Sequence, residues 1–266
     1  MATRLLLGTA SAVVIMLLSS IGATFATTLY TEPKAKDPKV DIVQDPAAVP
    51  AAEAPGKRPP KTHDVVLTTT EVEAKLEDGT TYTYWTFNNK VPGPMLRVRV
   101  GDTVNVKMTN APESSMNHSV DFHAATGFLG GGSITQAEPG QTKKFSFKAR
   151  APGVYVYHCA TPMVAHHIAK GMFGLIVVEP EDGLPKADKE FYVMQQEIYA
   201  AKEKNIPNSE DDYDGLANEY PGYFVFNGAV GALVEDKTAQ GEGGRDGPHL
   251  VRCGRPELHL VLPCDR

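Results

Sequence analysis

Three clusters of side chains stand out for the chemistry they could do. They are His118-Ser119-Val120-Asp121-Phe122-His123, then His158-Cys159, then His167 with Met172 five residues on. Two imidazoles, a thiolate and a distant thioether are the donors of a near-trigonal blue-copper centre. Cys159, His167 and Met172 fall on one short loop after a strand at Val154 to Tyr157, and His118 arrives from an earlier strand. The spacing predicts that these four residues hold one copper, on a loop that needs no local helix. Singly, each is commonplace: a Met is usually core filler, and a lone His usually a satisfied polar group. The combination carries the argument.

The remaining histidines point to a second metal. Neighbouring side chains on a strand project to opposite faces, so if Cys159 points into the fold, His158 points out. His118 and His123 differ by an odd number and divide in the same way if extended. His123 and His158 are therefore expected to share an outer site, joined to the inner one by a single peptide. Asp121 is either a proton-delivering or water-orienting carboxylate or a solvated turn residue. Two histidines do not complete a catalytic site, which usually has three protein ligands and an open position. His166 is expected to be packed or exposed, and His63 to be solvated.

These residues have to be positioned by strands. From Asp64 the chain alternates: Val65, Leu67 and Thr69, then Tyr82 to Phe87, then Leu96 to Met108 broken at Gly101-Asp102. Val120 and Phe122, Phe145 and Phe147, Val154 to Tyr157, and Leu175 to Val178 follow. Short strands with turn signals at this spacing predict an all-β Greek-key sandwich over residues 62–180. A second unit starts at 181. Tyr223 to Gly228 (YFVFNG) echoes Tyr84 to Asn89 (YWTFNN), a weak internal repeat, so residues 181–234 read as the start of a second sandwich.

The ends are different. Residues 1–26 read as a signal peptide cut after Ala26, or as an uncleaved anchor, and both place the body outside the cytoplasm. Residues 27–61, rich in Pro, Ala and Lys, are expected to form a flexible linker. Export makes an unpaired Cys159 informative, because exported domains pair their cysteines. A net charge of −6 with no basic stripe argues against nucleic acid. From 235 to 266 strand alternation is lost. A one-base shift allows Gly243 to His249 to read V-G-E-T-V-R-I, matching Val100 to Val106, and Gly254 to Arg266 to read A-G-P-N-F-T-S-S-F-H-V-I-G. An out-of-frame tail that does not fold is the expectation.

The motifs HSVDFHAATG (118–127), the Gly130 to Gly132 turn, VYHCATPMVAHHIAKGMFGLIVVEP (156–180), FYVMQQEIY (191–199) and FVFNGAVGAL (224–233) resemble the copper-containing nitrite reductases. The resemblance implies two cupredoxin domains, the second incomplete here. It implies a type 1 copper on His118, Cys159, His167 and Met172, and a type 2 copper with His123 and His158 as two of three ligands. Asp121 would be the proton donor. Nitrite would be reduced to nitric oxide by an electron from a small redox protein, a cupredoxin or cytochrome c. A periplasmic homotrimer would be the working form. The family's third type 2 histidine and its catalytic histidine have no match in this chain. An electron-transfer cupredoxin with type 1 copper alone is the rival. A multicopper oxidase would carry His-x-His pairs, and none occurs.

Overall fold

The computed structural model describes residues 40–234 apart from 186 and 202, and the backbone of a strand at 251–254. The expected signal or anchor, 1–26, lies outside the described residues, as does most of the 235–266 tail. Among the described residues no helix is long and apolar enough to cross a membrane.

Two four-stranded sheets face each other. One has the order β2-β1-β4-β6, formed by Thr80–Phe87, Thr62–Glu77, Thr103–Asn110 and Thr142–Lys148. The other has the order β3-β8-β7-β5, formed by Leu96–Arg99, Phe173–Glu179, Gly153–His158 and Asp121–Phe122. The parallel pairs β1/β4 and β3/β8 make this a Greek-key, cupredoxin-like sandwich. Alternation builds the core: Val104, Val106 and Met108 of β4 face inward, against Leu67, Phe122, Phe147, Tyr157, Ile176 and Val178. The strand break expected at Gly101-Asp102 is a turn with Gly101 at φ 94°, a conformation that favours glycine.

A three-stranded sheet, β10-β9-β11, is made of Tyr223–Phe226, Val193–Ile198 and Val251–Gly254. Met194, Ile198 and Val225 share a second apolar core with Val156, Leu175 and Val177. All seven residues of β8 are buried, because one side packs into each core. The weak repeat has a structural counterpart. Asn88 and Asn89 turn through the left-handed region after Phe87, and Asn227 and Gly228 do the same after Phe226. Each turn closes with a bridge, Phe87 to Lys90 and Phe226 to Ala229.

Three expectations need correction. Residues 40–61 are not a flexible linker. Ile42 is buried, its carbonyl accepts from Val91 N at 2.8 Å, Pro46 O accepts from Tyr192 N at 2.8 Å, and Gly56 N donates to Asp182 O at 2.7 Å. A Pro-rich segment loses little backbone entropy on being fixed, so a few anchors hold it. His63 is not solvated: its Nε2 lies 2.8 Å from the Asp102 carboxylate, with the side chain 27% exposed. The tail, expected not to fold, contributes the four-residue strand β11, which pairs in parallel with β9. Backbone pairing with an open strand edge asks little of the partner's sequence.

Candidate metal centres

The buried centre sits at one end of the sandwich. Cys159 directly follows β7, and its N–H donates to Met172 O at 3.1 Å. Between them runs a six-residue helix, α1, Val164–Ala169, which carries His167. The loop was expected to need no helix. The helix arises because Met163 takes a left-handed φ of 69° and its carbonyl then accepts from His166 N and His167 N. Met172 N donates to His167 O at 3.1 Å, so the three loop residues are tied to one another through the backbone. His118 arrives from the segment before β5, held by paired backbone bonds to Ala137. His118, Cys159, His167 and Met172 are all fully buried.

Ligand atoms of His118, Cys159 and His167 lie within 4.8 Å of one another. His167 Nδ1 is 3.3 Å from Cys159 Sγ and 3.3 Å from His118 Nδ1. Donors bound at about 2.0–2.3 Å to one first-row metal stand roughly this far apart. Two imidazole nitrogens and a sulfur facing one another in a dry pocket repel unless a proton or a cation lies between them. The soft thiolate with two imidazoles selects copper or zinc over magnesium or calcium. The donor set fits.

The surroundings reinforce the thiolate. Burial alone would push the Cys159 thiol up, but the adjacent His118 and His167 imidazoles outweigh it and hold it well below its ordinary range. Ser119 N points at Sγ from 3.4 Å. Burial alone would lower the pKa of His118, yet Cys159 and Glu71 beside it raise the net pKa. Glu71 is drawn down to about 2: burial opposes its charge, and bonds from His118, Ser115 and Met116 overcome that.

The outer cluster has the predicted members. His123 Nε2 and His158 Nε2 are 3.0 Å apart, and the Asp121 carboxylate joins them within 4.8 Å. Asp121 lies directly across from His158 in the β5/β7 register. His158 Nδ1 is 2.9 Å from Cys159 O. A carbonyl only accepts, so Nδ1 carries the proton and Nε2 is free to bind a metal. The division of His118 and His123 between inside and outside occurs as expected, although β5 is only two residues long. Asp121 is half-buried, not a solvated turn residue. Burial raises its pKa, against the pull of His158 and His123.

Gly130 makes room for this carboxylate. A Cβ there would sit 2.1 Å from Asp121 Oδ1 and 2.6 Å from Phe122 O, and φ is 57°. Gly130→Ala is expected to cost about 1–3 kcal/mol by overpacking and to displace Asp121, read as a lowered denaturation midpoint together with weakened metal binding at the outer cluster. Unchanged stability would refute the close contact.

Sequence reasoning missed three neighbours. Trp85 lies edge-on to His118 (5.4 Å between ring centroids) and tilted to His167 (4.7 Å). Glu71 touches His118 Nε2 at 3.2 Å. Asp211 takes His166 Nε2 at 3.2 Å, Lys170 Nζ at 2.9 Å and Tyr82 OH at 2.6 Å, bracing α1 from the segment before α2 (Tyr213–Ala217). Only the rarity of tryptophan could have flagged one of them. Cys253 lies in β11 and Cys264, His249 and His259 lie in the tail, so their side chains are outside the described residues.

Comparisons with known proteins find similarity to copper enzymes. A family model described as a multicopper oxidase matches residues 68–183. A copper-containing nitrite reductase of Neisseria meningitidis is 49% identical over 195 residues, covering 73% of this chain and 50% of the relative. One from Rhizobium meliloti is 38% identical over 227 residues, covering 77% and 60%. The solved copper nitrite reductase of Nitrosomonas europaea superimposes with a TM-score of 0.58 at 37% identity, over 72% of this chain and 66% of that one. The chain spans about half the length of the first of these relatives. Over the part that it shares with them, the chain is similar to the copper-containing nitrite reductases at 37–49% identity.

Proposed function

We propose that the chain serves copper-dependent reduction of nitrite to nitric oxide. His118, Cys159, His167 and Met172 would hold a type 1 copper, His123 and His158 would hold a type 2 copper as the nitrite site, and the Cys159–His158 peptide would be the path for the electron between them. One observation carries this reading: a buried thiolate and a partly exposed imidazole are consecutive residues, each belonging to a separate donor cluster. Copper, when bound, supplies a one-electron couple at the inner site and a coordination position for nitrite at the outer one. Each turnover takes one electron and two protons per nitrite and releases nitric oxide and water.

The protein's own groups divide the work. Burial of the inner set keeps water from the thiolate. The bond from His158 Nδ1 to Cys159 O fixes the outer imidazole's tautomer. Asp121, whose proton is held more tightly through burial, stands beside both outer imidazoles and can hand a proton to a nitrite oxygen. Export to the periplasm, with or without a retained anchor, a small redox protein as donor and a homotrimeric assembly complete the reading.

Among the described residues the outer cluster offers only two imidazoles. That favours a second reading for the chain by itself, an electron-accepting cupredoxin with type 1 copper alone. The purified 266-residue chain is expected to bind copper at Cys159 and to release no nitric oxide from nitrite with a reduced donor. Nitrite-dependent nitric oxide above the copper-only control would show that the outer site is complete without further ligands.

A further inference from the structure

We propose that Glu71 is a positioning residue for the inner centre, fixing the tautomer of His118 and lowering the reduction potential of a metal held there through a single carboxylate–imidazole contact. The proposal rests on reading that centre as a copper site.

Glu71 belongs to β1, opposite Trp85 in the β1/β2 register. Its carboxylate gathers four donors. Oε1 accepts from Ser115 N at 3.0 Å and Met116 N at 3.0 Å and lies 3.2 Å from His118 Nε2, and Oε2 accepts from Ser115 Oγ at 2.6 Å. An ionised carboxylate is acceptor-only, so Nε2 is the protonated nitrogen of His118. Nδ1 is then left with its lone pair, and Nδ1 is the atom that faces His167 Nδ1 at 3.3 Å. The carboxylate thus chooses which nitrogen binds metal, and it holds the 115–118 segment that carries the ring. Trp85 packs edge-on against the same imidazole.

The two imidazoles differ. His167 Nε2 is buried without a hydrogen-bond partner, whereas His118 Nε2 meets an anion. The Glu71 side chain is only 11% exposed, so water screens its charge weakly. A negative charge delivered along one ligand makes that ligand more basic and favours the oxidised, more positive metal. Its removal must raise the potential.

The test is Glu71→Gln in the copper-loaded chain. The amide keeps the size and one acceptor oxygen but loses the charge. At a fixed ambient potential the ratio of reduced to oxidised centre is expected to rise about tenfold, or about 59 mV for a one-electron couple. A ratio within twofold of wild type, with the visible spectrum unchanged, would leave Glu71 as a loop brace only and overturn the tuning. Nitrogen-15 NMR of His118 in the zinc-loaded wild-type chain gives a reading that needs no variant. A protonated Nε2 is expected, and an unprotonated one overturns the proposal. Should the wild-type chain show no blue band with copper while Nε2–H persists, the copper reading fails, and the tuning fails with it.

Discussion

Cys159→Ser is expected to abolish the intense visible absorption of the copper-loaded chain and to remove copper from the inner site. Sulfur is the soft donor that sets this centre apart from a pair of histidines. It is fully buried within the sandwich core, with His167 Nδ1 and Ser119 N at 3.3 and 3.4 Å. A serine hydroxyl nearly matches the thiol in size, so the fold survives, but it does not ionise beside two imidazoles as a depressed thiol does. Copper affinity at the inner site should fall by more than the roughly 10–100-fold that loss of an outer-shell partner alone costs. Titration with copper(II), followed by visible absorption and copper per chain, reads this directly. A blue band that survives in the serine variant would remove Cys159 from the ligand set.

Asp102→Asn should have the largest effect on stability. Asp102 is fully buried at the turn between β3 and β4. It accepts from Arg58 Nη1 and Nη2, both at 2.7 Å, from Lys61 N at 2.8 Å and from Arg99 N at 2.9 Å, with His63 Nε2 at 2.8 Å. An amide there removes the charge and can turn an N–H toward the Arg58 guanidinium, whose side chain is only 14% exposed. Breaking a buried pair from one side costs about 3–5 kcal/mol. Burial would raise the Asp102 pKa, but Arg58 and the backbone donors bring it well below the usual carboxylate range. The folded value therefore lies below the unfolded one of about 3.9. The stabilisation is complete above that unfolded value and is lost as the pH falls through the depressed folded value. Urea unfolding at neutral pH and again below about pH 4 should show the wild type losing this margin in acid, with the Asn variant flatter. A variant within about 1 kcal/mol of wild type at neutral pH would mean that the strap at 53–61 is not held by this charge.

The same carboxylate shows where sequence reasoning stopped. Asp102 was legible as half of a turn signal beside Gly101, because a break between alternating runs is local. Its partners Arg58 and His63 lie 44 and 39 residues away. Nothing local distinguishes a Pro-rich flexible segment from a Pro-rich strap. The difference lies in what the far surface offers, such as the Val91 and Tyr192 backbone groups that pin residues 42–46.

The sequence by itself determined the donors and the sandwich. The residue types at 118, 159, 167 and 172 are the nitrogen and sulfur donors that the proposed inner site would use. The strand period of two dictates that Cys159 and His158 part to opposite faces, and the echo of residues 84–89 in 223–228 announced a second turn of the same kind. Tertiary structure alone decided which nitrogen of His118 faces the other ligands, that Asp121 is half-buried opposite His158, and that a short helix presents His167. Those outcomes depend on Glu71, Gly130 and the left-handed Met163. Each acts through space or through one backbone angle, and neither leaves a periodic trace along the chain.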